Sequence, residues 1–134
     1  MPHWEFFEAE KGHLYRITRH EPRAEVNCLW GRTIGSSHWE LELLLDDCDG
    51  DCWVFRRNRT IRRPFALAVS ANSRQIPYLA PEIQLLYKSH QPRAQDDFDF
   101  QSVFPRLEDE PREWLHAALI QTSPHHPWLS RFGG

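Results

Sequence analysis

Strands first and helices second is the order this sequence predicts. The expected class is α+β, an N-terminal antiparallel or mixed sheet followed by three to four C-terminal helices. Three observations carry that expectation. Residues 1–63 contain short runs in which apolar and polar side chains alternate, the spacing of a half-buried strand. After Pro64 the apolar spacing moves to about 3.6 residues, that of a helix. The breaks between runs fall on Gly, Pro, Asp and Ser. With 134 residues the chain is expected to form a single domain, 1–63 its β-rich part and 64–134 its helical part.

In the first part, Trp4-Glu5-Phe6-Phe7 and His13-Leu14-Tyr15-Arg16-Ile17 read as strands around a Lys11-Gly12 turn. Glu25 to Arg32 is a third, placing Val26, Cys28 and Trp30 on one face. The strongest alternation is Trp39-Glu40-Leu41-Glu42-Leu43-Leu44-Leu45-Asp46. Here Trp39, Leu41, Leu43 and Leu45 oppose Glu40, Glu42, Leu44 and Asp46. An Asp49-Gly50 hairpin turn is expected to lead from it into a partner strand, Cys52-Trp53-Val54-Phe55-Arg56, completing an antiparallel meander.

In the second part, Phe65 to Val69 reads as a short helix and Ile76 to Leu79 as an extended link. Ala80-Pro81-Glu82 opens the clearest helix, with Pro in the first turn and an acidic residue at its positive end; Gln91-Pro92 ends it. Asp96 and Asp99 resemble a capping arrangement. Phe100, Val103, Phe104 and Leu107 follow at helical spacing until Pro105 interrupts. Pro111 is expected to open a last helix through Ile120, and the tail Ser123 to Leu129 to dock or fray.

Composition narrows the function classes. A hydrophobic share of 40% and a charged share of 26% belong to an ordinary globular domain. No apolar run has the length of a membrane span, and Met1-Pro2-His3-Trp4-Glu5 lacks the pattern of a signal peptide, so the expected location is cytoplasmic. A formal charge of −3 argues against general nucleic-acid binding. Cys28, Cys48 and Cys52 are an odd number and form no disulfide framework.

Five groups of residues invite a chemical reading. Asp46 to Asp51 could hold a hard cation, but it lies between strands and reads more simply as a polar turn. Cys48 and Cys52, even with Cys28, lack the spacing of a zinc knuckle, and His125-His126 reads as a surface pair. Arg56, Arg57, Arg59, Arg62 and Arg63 could grip phosphate, although a solvated, salt-bridged ribbon is the plainer account. Glu42, with Glu40 and Asp46 on the same strand face, could supply a metal ligand or base, against an ordinary acidic strand side.

Several segments taken together resemble the nucleotidyltransferase-like family that includes the aminoglycoside and lincosamide nucleotidyltransferases. They are Trp39 to Asp46, Gly50 to Arg57, Arg59 to Pro64, Ile76 to Lys88, Asp96-x2-Asp99-Phe100 and His126 to Leu129. The resemblance implies a polymerase-β-like fold, Mg²⁺ and ATP, and transfer of a nucleoside monophosphate to a hydroxyl. It assigns Glu42 as the third catalytic and metal-binding carboxylate. It assigns Lys88, Asp96 and Asp99 to positions that support the nucleotide or the fold, with Arg56 and Arg57 steadying phosphates. The family's Asp-x-Asp strand has no counterpart here, and Gln95 and His90 stand where the family has Lys. The expectation is an N-terminally truncated or degenerate relative, not competent alone. The alternative is a protein-binding or homodimerising module that uses an open sheet edge.

Overall fold

The computed structural model describes residues 3–18, 26 and 28–133. Its contacts divide the chain into two compact units, Met1–Asp47 and Cys48–Gly134. The α+β class is as expected: strands dominate the first unit, and helices follow strands in the second.

The first unit is a four-stranded antiparallel sheet of β1 (Trp4–Glu10), β2 (His13–Arg16), β3 (Cys28–Thr33) and β4 (Leu41–Leu44). Lys11 and Gly12 both have positive φ, 49° and 81°, so the β1–β2 link has the backbone sense that matches strand twist. The spatial order is β2-β1-β3-β4, not the sequential order of a meander. β1 therefore lies in the middle, between β2 and β3. Gly31 sits opposite Phe6, and a Cβ there would fall 2.8 Å from the ring, so any larger residue would force the Phe6 side chain to move. Of the third predicted strand, residues 25 and 27 lie outside the described residues; the strand itself begins at Cys28.

The predicted partner of the Leu-rich strand is corrected. β4 pairs with β3, and the Asp49-Gly50 turn instead joins β5 (Asp47–Asp49) to β6 (Cys52–Val54). The strand stops after Leu44, so the eight-residue alternation supplies only four residues of ladder. All four are exposed, with Leu41 and Leu43 near 39% and 38% and Leu44 at 76%.

The second unit contains the core. Strand β6 sits between β5 and β7 (Arg62–Pro64), and the chain then forms α1 (Phe65–Ala68) and the hairpin β8 (Val69–Ala71) and β9 (Pro77–Leu79). Three longer helices follow: α2 (Pro81–Lys88), α3 (Ala94–Val103) and α4 (Asp109–Thr122). Pro81 occupies the first turn of α2, as expected. Pro105 ends α3, and the chain tightens into a 3-10 turn over Phe104–Arg106. α4 begins two residues before Pro111, because in the first helical turn a missing N–H costs no internal bond.

Trp53, Phe55, Ile61, Ile83, Leu86, Phe100, Leu115, Leu119 and Trp128 form one buried cluster. The tail docks rather than frays. Trp128 stacks on Phe100 at 4.2 Å, and its indole N–H donates to Asp97 at 2.7 Å. His126, expected at the surface, is buried: its Nδ1 accepts from the Trp128 N–H and its Nε2 donates to the Ser89 carbonyl.

One charged group is embedded beside this core. Arg63, on β7 opposite Trp53, is 2% exposed and meets Glu82 at 2.6 Å and both Glu110 oxygens at 2.9 and 2.7 Å. Its guanidinium also lies 5.0 Å from the Trp114 ring. Burial works against its charge, but Glu110 and Glu82 outweigh burial and hold it above its ordinary pKa. The expected ribbon of solvated arginines is thus corrected at Arg63, which faces inward with Trp53. Glu82 is as buried as Arg63, whereas the Glu110 side chain is 61% exposed. Glu82→Ala is expected to destabilise the protein by about 3 kcal/mol or more, as for a broken buried pair. Glu110→Ala should cost about 1 kcal/mol or less in the same urea-unfolding measurement.

Candidate functional site

Glu42 lies on β4 directly opposite Trp30, and its face of the sheet is the richest chemical surface of the first unit. Pairing across the ladder puts Glu5 with Arg32, Phe7 with Trp30 and Arg16, and Cys28 with Leu44 on that same face. Trp39 adds its ring edge-on, 5.1 Å from Phe7 and 6.1 Å from Trp30. The Arg32 guanidinium lies 5.2 Å from the Phe7 ring and 4.9 Å from the Trp39 ring, a cation–π arrangement. Glu5 accepts from Arg32 at 2.7 Å and meets Arg16 at 3.3 Å.

The carboxylate cluster weighed against an ordinary acidic strand side does not assemble. Only Glu42 of the three acids lies within β4, and its carboxylate accepts from the Cys28 thiol at 3.2 Å. Glu40 precedes the strand and turns to the Thr33 backbone N–H and hydroxyl, at 3.0 and 3.1 Å. Among the described residues, no group of three His, Cys, Asp or Glu is placed to hold a metal ion. What Glu42 does electrically is visible at its partner. Burial, then the Glu42 hydrogen bond and charge, push the Cys28 thiol up to about 11.

The other residues singled out by the resemblance lie in the second unit, in two places. Lys88, at the end of α2, meets Asp99 at 2.9 Å and Asp96 at 3.3 Å on α3. Asp96 also accepts from the Arg93 guanidinium at 3.1 Å and from the Arg93 backbone N–H at 2.9 Å. This is the N-terminal cap of α3, one turn earlier than the expected Asp96–Asp99 arrangement: Asp96, three residues into the helix, reaches back to Arg93 before it, and Asp99 lies inside the helix. Arg93 first, then Lys88, holds the Asp96 carboxyl well below the usual carboxylate range, and Lys88 followed by Gln95 lowers Asp99. Asp99 in turn raises Lys88. Arg56 and Arg57 follow β6 in a turn, not on a strand, and Arg57 lines a cleft of about 310 Å³ with Phe55, Leu86 and His90.

Comparison with known protein families, curated proteins and solved structures returns no match to this chain.

Chemically, then, the sheet face offers aromatic surfaces with paired charges, and the α2–α3 junction offers a balanced ion cluster. Sequence reasoning missed Arg93 and Arg32, and it weighed Cys28 only as a zinc ligand, not as the partner of Glu42. The Arg-x2-Asp spacing of a capping pair could have pointed to Arg93. Nothing local could have pointed to Cys28, whose partner is 14 residues away across a ladder.

Two outcomes follow. Cys28 should alkylate with iodoacetamide at pH 8 more slowly than exposed Cys48, and Glu42→Gln should speed Cys28 several-fold, read by mass spectrometry. The pKa of folded Asp96 lies below its unfolded value of about 3.9. Its contribution is therefore complete above that value and lost as pH falls through the folded one. Urea midpoints of the wild type and Asp96→Asn should differ at pH 7, and the difference should shrink steadily as pH falls below about 3.9.

Proposed function

We propose that this chain is a nucleotidyltransferase-like protein that does not turn over a nucleotide by itself. One observation carries the reading. The carboxylates and the lysine that the resemblance assigns to metal and nucleotide are engaged by protein neighbours. Glu42 takes the Cys28 thiol, Lys88 takes Asp96 and Asp99, and Asp96 also takes Arg93. A two-metal clamp needs several carboxylates converging on one point, to hold Mg²⁺ and offset the charge of a triphosphate. Glu42 is accompanied by a thiol and an indole instead. Mg²⁺ and ATP stay part of the proposal only as the ligands of the resembled family.

A second reading, a homodimer formed through an open sheet edge, is favoured by β4. This is the outer strand of its sheet and exposes Leu41, Leu43 and Leu44. An unpaired edge carrying leucines is a template for a further strand. A second copy meeting it antiparallel, Leu43 against Leu43, would set each Glu42 opposite the other copy's Leu44 and keep like charges from direct opposition.

Both readings are open to direct measurement. With ATP and Mg²⁺ the protein should release no pyrophosphate above a blank, and Glu42→Ala should leave that result unchanged. Turnover abolished by Glu42→Ala would overturn the first reading. Sedimentation should show a dimer that Leu43→Pro dissociates; a monomer at high concentration rules out the second.

A further inference from the structure

A cleft of about 360 Å³ lies against α2, the end of α3 and the turn that follows it. Its size is that of a small-ligand pocket, which starts at about 300 Å³. The cleft has a physical origin in the sequence. Pro105 stops α3 after Val103, the chain tightens, and Leu107 leaves in extended backbone with ψ of 135°. Leu85, Val103 and Leu107 supply apolar lining, and Gln84, Lys88, Asp99 and Arg106 supply polar groups.

The balance of those polar groups decides what fits. Lys88 and Asp99 are 2.9 Å apart, and Asp99 also accepts from Gln95 at 3.0 Å. The Gln84 amide donates to the Leu79 carbonyl. These groups are spent on the protein. Arg106 is exposed and has no ion-pair or hydrogen-bond partner among the described residues. One uncommitted guanidinium over an apolar lining matches a single flat anion with an apolar body. It does not match a triphosphate, whose several charges would meet one spare cation and the Asp99 carboxylate.

We infer that this cleft binds a small monocarboxylate with an aryl or short alkyl body, its carboxylate gripped by Arg106 and its apolar part against Leu85, Val103 and Leu107. A free small molecule of this class would be recognised here whether or not the chain shares nucleotidyltransferase ancestry.

The probe is 4-phenylbutyrate, titrated into the ¹⁵N-labelled full chain beside its uncharged amide, 4-phenylbutyramide. Binding of the carboxylate should move the amide signals of Leu85, Lys88, Val103 and Leu107, with an affinity about tenfold above that of the amide. Arg106→Gln should remove that preference, and Arg106→Glu should reverse it. Arg106 is exposed, so neither change disturbs the core, and unaltered signals elsewhere check the fold. Equal binding of acid and amide, shifts confined to other residues, or an unchanged preference in Arg106→Gln would overturn the inference.

Discussion

The second unit depends on a buried cation. Arg63 ties β7 to α2 through Glu82 and to α4 through Glu110 and Trp114, so a single guanidinium pins a sheet to two helices. Apolar side chains of similar volume would pack there and cost less to desolvate. What they would not provide is direction. A planar fork with two carboxylates fixes the register of each helix against the strand, whereas leucines would accept many. Trp114 strengthens the pin by donating to the Arg62 carbonyl at 3.1 Å. Around it Trp53, Tyr87 and Trp114 meet edge-on at about 6 Å, the spacing at which ring quadrupoles attract.

The same use of charge recurs at the α2–α3 junction. Lys88, Arg93, Asp96 and Asp99 form a closed cluster that caps one helix and ties down the end of another. This is why Lys88, which the resemblance assigns to the nucleotide, has little charge left for a ligand. Arg106 contrasts with them. It follows Pro105, past the end of α3, where no carboxylate of its own helix can reach it at helical spacing.

In the first unit the logic is that of a sheet face. Glu5 serves two arginines, Arg32 rests against two rings, and Glu42 adds to the effect of burial in raising the pKa of a thiol. Each pair joins neighbouring strands or the loop before β4. A carboxylate beside a thiol and an indole lowers no metal's energy as a cluster of acids would, so the meaning of Glu42 lies in its neighbours.

What the sequence alone determined was local. The Lys11-Gly12 turn, the Pro81 helix start and the Pro105 stop are all readable because each rests on a few adjacent residues and the stereochemistry of Gly or Pro. The change of period at Pro64 likewise gave the α+β class. Tertiary structure decided which strands pair, and so which side chains share a face. The Leu-rich stretch looked like the hub of a hairpin with Cys52 to Arg56, yet it is a four-residue edge strand on β3. Strand alternation names two faces but neither the partner nor the register, since every candidate partner alternates equally well. For the same reason Glu42 could be assigned to a face but not given its neighbours, and Arg63 could be counted among five arginines but not seen as the buried one.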